Sequence, residues 1–127
     1  MTGLTDTEAA ILAARHVSAF NDAVEACNYL QFLSLFTDDA VIRFENVPGA
    51  GELEYAGREA CAKAYKEQPP DDQIDICGSA KPDGDGLVVP FAWRRNGKQG
   101  TLRLVYAKND AGSLDKRLVA RMSVTFD

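Results

Sequence analysis

This sequence predicts an α+β fold with its helices gathered early in the chain, on three observations. Apolar residues recur every three or four positions through the first part, the spacing of one helical face. From Gln73 onward they fall in short runs of strand character. Between two of those runs stands Asn96-Gly97, the strongest short hairpin signal, so the flanking strands should pair antiparallel. Helices followed by a meandering sheet, with one helix set between early strands, pack as layers around one core.

Taken in order, Thr5-Asp6-Thr7-Glu8 has the form of a capping box and predicts a helix start. Leu12, His16, Phe20 and Val24 then repeat every four residues, flanked by Ala13 and Ala19, which carries one apolar stripe to about Ala26. Asn28 can cap a second, shorter helix that buries most of Tyr29, Leu30, Phe32, Leu33 and Phe36. Asp38-Asp39 reads as the turn that stops this helix, because aspartates bond their own backbone. A first strand is expected over "AVIRFE", a loop at "VPGAG" and a short extended piece at "ELEYAG". "REACAKAYKEQ" predicts a third helix, stopped by Pro69-Pro70. Four strands follow: "QIDICGS", "GLVVPFAWRR", "GTLRLVYAK" and "KRLVARMSVTF", with Pro90 marking an edge or a bulge.

Composition narrows the function classes. A chain of 127 residues fits one domain, residues 1–127, with a core that needs no disulfide. Net charge is −5 and the basic residues form no run, so neither nucleic acid nor an anionic membrane is an expected partner. The start "MTGLTDTEAA" lacks the basic and apolar regions of a signal peptide, and no apolar run is long enough to span a bilayer. Cys27, Cys61 and Cys77 are odd in number and scattered, which suits a reducing, cytoplasmic setting. With a single histidine and no close Cys/His spacing, neither a metal site nor a cofactor motif is expected.

The order helix, helix, "LFTDDAVIRFENVP", "YAGREACAKAY" and long strands closing on "RMSVTFD" resembles the nuclear transport factor 2-like superfamily, in particular its SnoaL-like and ketosteroid-isomerase-like branch. The resemblance spans nearly the whole chain. It implies a cone-shaped curved sheet, antiparallel or mixed, wrapped around the long N-terminal helix, with two further short helices and an apolar pocket at one end. Homodimerisation through the outer sheet face is also implied. Members of the superfamily include isomerases, cyclases, epoxide hydrolases and pure binding or dimerisation modules, so the resemblance speaks to fold more than to activity.

Matched onto the motif of that branch, Phe44 occupies the position of the general-base aspartate, so the usual base is absent. Glu45 is one residue late, and a shift of one reverses the face of a strand. His16 falls where the branch has a tyrosine oxyanion donor, and Tyr106 near the position of its protonated acid donor. Two readings of His16 and Tyr106 stay open: a catalytic pair facing the pocket, or core side chains with their polar atoms satisfied, for instance by each other. Leu12 and Phe20 on the first helix, Phe44, Phe91, Trp93 and Met122 are the expected ligand contacts, or else core filling. The ligand class is a hydrophobic small molecule, met either by an isomerase or cyclase type of enzyme or by a non-catalytic binding or dimerisation module. Tyr55 is expected at the rim, as packing.

Overall fold

The computed structural model describes residues 4–107 and 117–126. Its first element, α1 (Asp6–Ala26), begins with the expected capping box: the Thr5 side chain accepts from the Glu8 N–H, and the Glu8 side chain accepts from the Thr5 N–H. Leu12, Ala13, His16 and Phe20 are buried as their spacing requires, with Ala23 rather than Val24 completing the stripe. The helix ends where Cys27 turns left-handed at φ 55°, a place usually held by glycine. One turn of helix, α2 (Leu30–Leu33), buries Phe32 and Leu33 but leaves Leu30 72% exposed, against expectation. Tyr29, not the expected Asn28, takes the cap position and does so without a side-chain bond; the Asn28 carboxamide instead accepts from the Leu30 N–H at 3.0 Å, a local turn just ahead of the helix.

The first strand, β1 (Phe36–Val47), starts earlier than the sequence suggested. Asp38-Asp39 is therefore not the turn that ends α2; the pair lies inside extended chain. Their role is local even so. Pairing of β1 with the last strand shifts register between Phe36 and Val41, and the two aspartates occupy that irregularity. Thr37 Oγ1 donates to Asp39 at 2.8 Å, and Asp38 pairs with Arg58 at 3.1 Å. After β2 (Gly51–Ala56) comes α3 (Arg58–Glu67), which ends just before the two prolines and buries Cys61 and Tyr65.

Strands β3 (Ile74–Ile76), β4 (Lys81–Asp83), β5 (Gly86–Trp93), β6 (Gln99–Tyr106) and β7 (Val119–Phe126) complete the sheet. Its order is β2-β1-β7-β6-β5-β3, with β4 also on β5. Among the described residues only the β1–β7 pairing is parallel, so the sheet is mixed. The β5–β6 hairpin forms as expected, closing through bonds between Trp93 and Lys98 and through Gly97 at φ 71°. The link between β6 and β7, on which glycine and aspartate were read, lies outside the described residues.

Pro90 was expected at an edge or a bulge, and the structure shows another solution. Strand β5 has neighbours on both sides, but β3 meets it at Phe91–Trp93 and β4 at Gly86–Val88. Pro90 sits in the gap between them, where a missing N–H breaks no ladder bond. Its carbonyl accepts from the Cys77 N–H at 3.0 Å, at the point where β3 ends. A second irregularity lies in β7. Val105 pairs with Arg121 but Tyr106 pairs with Val119, so Ala120 is skipped and Val119 turns inward in its place.

The layers meet on one core, with α1 against the inner face of the curved, unclosed sheet. Asn21 fixes this placement: its carboxamide donates to the Ile74 carbonyl and accepts from the Ile74 N–H, both at 2.9 Å, as a neighbouring strand would. At Gly100 an added Cβ would stand 2.6 Å from both the Phe91 ring and the Thr125 carbonyl oxygen. A side chain there has no room, which lets the Phe91 ring lie across β6.

Candidate functional site

Alternation along the strands and the four-residue stripe of α1 bring side chains from both layers to one apolar hollow with two compartments. The inner one, about 50 Å³, includes His16, Phe20, Phe91, Leu102 and Met122 in its wall. The outer one, about 230 Å³, includes Ile42, Leu53, Tyr55, Cys61 and Gln68. Phe44, Tyr65, Pro70, Trp93 and Phe126 belong to both and separate them. Trp93 stacks on Phe126 with centroids 6.1 Å apart and meets Phe91 edge-on at 5.7 Å, so this partition is mostly aromatic. The inner space holds only a water or two, at roughly 30 Å³ each. The outer one approaches the ~300 Å³ at which small-molecule sites begin.

His16 is the buried polar residue of the inner wall, 3% exposed. Its Nε2 lies 3.2 Å from Met122 Sδ. A thioether can only accept, so this contact puts the ring proton on Nε2 and leaves Nδ1 a bare acceptor. Nδ1 is sealed in protein and has no hydrogen-bond partner among the described residues. Phe32 and Phe36 present edge-on contacts at 5.1 and 5.7 Å. Burial first, and the nearby charge of Arg15 second, push the pKa of His16 down to about 3, so the imidazole is neutral at pH 7.

Tyr106, the expected partner of His16, stands elsewhere. It is on the buried face of β6 but past Leu104, outside the walls of both compartments. Leu102 is what β6 contributes to the wall, and Tyr106 stands four positions further along the strand, ~13 Å away. The Tyr106 hydroxyl is buried with no hydrogen-bond partner among the described residues, so it does not satisfy His16. Burial pushes its pKa up to about 12, against the opposing pull of Arg15 and Arg117. Leu12 is wholly buried but also lies outside both walls, one helical turn before His16. Phe20, Phe44, Phe91, Trp93 and Met122 all line the inner compartment.

The carboxylate question resolves by strand parity. Phe44 faces the hollow, whereas Glu45 turns to the other side of the sheet, accepting from Thr125 Oγ1 at 2.8 Å and pairing with Arg43 Nε at 3.2 Å. No carboxylate lines either compartment among the described residues. Tyr55 reaches the outer wall and meets Phe44 edge-on at 6.2 Å. Sequence reasoning missed Phe32, Tyr65 and Pro70 as wall residues. Tyr65 could have been found, since it follows Cys61 by four residues on the apolar side of α3. Pro70 could not, because a proline after a helix reads only as a stop.

No protein-family model matches the chain, and no curated protein matches it. Solved structures do. A SnoaL-like family protein from Agrobacterium tumefaciens, named as a candidate isomerase, is similar with a TM-score of 0.64 at 13% identity, over 95% of this chain and 98% of that one. A candidate ketosteroid isomerase from Kribbella flavida gives a TM-score of 0.57 at 18% identity, over 95% and 78%. A de novo designed protein with a curved β-sheet gives 0.59 at 14% identity, over 98% and 88%. The chain thus has the nuclear transport factor 2-like fold: an N-terminal helix, a curved mixed sheet not closed into a barrel, and short helices. A designed protein among the matches underlines that this likeness is one of architecture.

Proposed function

Starting from the nuclear transport factor 2-like fold, we propose that this protein binds a compact hydrophobic small molecule in the hollow between α1 and the inner face of the sheet. The observation that carries this reading is the pair of adjoining compartments with almost wholly apolar walls, the larger approaching ligand size. An apolar molecule entering from water gains about 25 cal/mol for each Å² it buries, so such a site holds it without charges. The aromatic partition gives way, and the two compartments merge around the ligand.

Trp93 is the chain's one tryptophan and stands in that partition, so its fluorescence reports occupancy. Titration with small aromatic ketones and hydrocarbons is expected to change its emission saturably. Ala64 of α3 also lines the outer compartment, and in an Ala64→Trp variant, which fills that space, binding of the same compounds is expected to fall at least tenfold, followed by calorimetry. Unchanged affinity in the filled variant overturns the site.

Proton transfer on a bound carbonyl compound is the second reading, favoured by the place of His16 in the wall of the inner compartment. Here His16 moves the proton, and Tyr106, outside both walls, takes no part. The depressed pKa makes His16 a weak base, which ranks this reading below simple binding. Loss of turnover of a bound ketone in His16→Gln supports it, and retained turnover removes it. We further propose a homodimer through the outer sheet face, where Val41, Arg43, Arg103, Arg121, Ser123 and Thr125 stand half-buried or exposed.

A further inference from the structure

The sequence holds no basic run, yet folding gathers two of its arginines at one place. Arg15 of α1 and Arg117, just ahead of β7, lie 102 residues apart in the chain, and Arg15 Nη2 donates to the Arg117 carbonyl at 2.9 Å. Strand pairing brings a third group to them. Tyr106, the last residue of β6, pairs with Val119, and the Ala107 N–H donates to the Leu118 carbonyl at 2.9 Å, so the end of β6 runs beside the approach to β7. Tyr106 is 3% exposed, and its hydroxyl has no hydrogen-bond partner among the described residues. Arg117 Nε is buried without one as well. Burial raises the Tyr106 pKa and the charges of Arg15 and Arg117 oppose the rise, which places positive charge close to the hydroxyl. Both arginines are half-buried, so the cluster lies at the margin of the fold, and none of its three residues lines the hollow.

Buried donors that bond nothing are rare in a folded protein and ask for an acceptor. A guanidinium can only donate, and its planar fork matches the oxygens of a carboxylate or a phosphate. We propose that Tyr106, Arg117 and Arg15 form a second site, apart from the hollow, for a small oxyanion: a phosphate group or the carboxylate of an organic acid. Arg117 Nε and the Tyr106 hydroxyl supply hydrogen bonds. Arg15 adds charge, and its bond to the Arg117 carbonyl holds that residue in place. With a pKa near 12 the hydroxyl keeps its proton at neutral pH and stays a donor. The net charge of −5 does not oppose such binding, because exposed charges beyond about 8 Å are screened at physiological ionic strength.

Calorimetry on the whole protein with inorganic phosphate and, separately, with acetate tests the site and distinguishes the two sources of the oxyanion. Wild type is expected to bind at least one of them saturably, and the tighter of the two gives the class. Tyr106→Phe removes a single hydroxyl, and Arg117→Gln removes the charged fork. Each is expected to weaken that anion about tenfold or more, the worth of a charge-assisted hydrogen bond. Failure of wild type to bind either anion overturns the site, and so does undiminished affinity in either variant. Should a variant not fold, the side-chain Nε–H resonance of Arg117 in wild-type protein decides. A saturable shift on adding the anion is expected there, and a resonance that stays in place overturns the proposal.

Discussion

His16 concentrates what is unusual about single residues here. Its folded-state pKa lies near 3, against about 6.5 when unfolded. Between those values the unfolded chain binds a proton that the folded one refuses, so stability rises with pH up to about 6.5 and then levels. Acidification from pH 7 to 4 should therefore cost wild type about 3 kcal/mol more than His16→Gln, which has nothing to titrate there. Urea denaturation of both proteins at the two pH values checks this; equal losses would show that His16 is not kept neutral by burial. The sequence made His16 visible, because a histidine on an apolar stripe stands out. It could not show Met122 as its contact, since that pairing depends on how β7 crosses α1. Phe44 was legible for the opposite reason: strand parity is strict, and it alone decided that Glu45 faces away from the hollow. Tyr106 misled because parity says which face a side chain takes but not how far along the cone it lies.

Among elements, helices α1 and α3 and the β5–β6 hairpin were readable from local chemistry: a capping box, a pair of prolines, an Asn-Gly turn. What stayed hidden were irregularities that exist only between strands. The shift around Asp38-Asp39 and the skipped Ala120 arise from pairing across the sheet, and the second changes which residue of β7 turns inward. The shortening of "QIDICGS" to the three residues of β3, and the extra strand β4 in the link that follows it, are of the same kind. Close approach of strands also explains Gly100, where Phe91 and the Thr125 carbonyl leave no space for a Cβ. Gly100→Ala should destabilise by about 2 kcal/mol, because a clash with backbone cannot be relieved by a rotamer change. It should also dull Trp93 emission changes on ligand addition, since Phe91 supports Trp93. A urea midpoint equal to wild type would mean that β6 yields at this point without loss.

For the molecule as a whole, the curved sheet has two faces with different tasks. The inner face holds the hollow, and the outer one carries alternating charge, hydroxyl and aliphatic groups, with Arg43 paired to Glu45 and Glu52 and Arg103 to Asp83. If two outer faces meet, sedimentation equilibrium will report twice the 13.8 kDa chain mass, and a mass near 13.8 kDa at micromolar concentration removes that assembly. The gap at Pro90 bears on how chains can meet at all. An exposed, unbroken strand edge is a template on which other chains polymerise. Here one rim is split into two three-residue stubs, interrupted opposite Pro90 and carrying Pro82 within β4, while the far rim ends in β2 with Glu52 and Glu54. The stubs of the first rim are too short to seed a growing fibril, and the six-residue edge of β2 carries two glutamates that oppose stacking of like chains. A protein whose hollow needs a large apolar interior thereby keeps that interior from becoming an aggregation hazard at its margins.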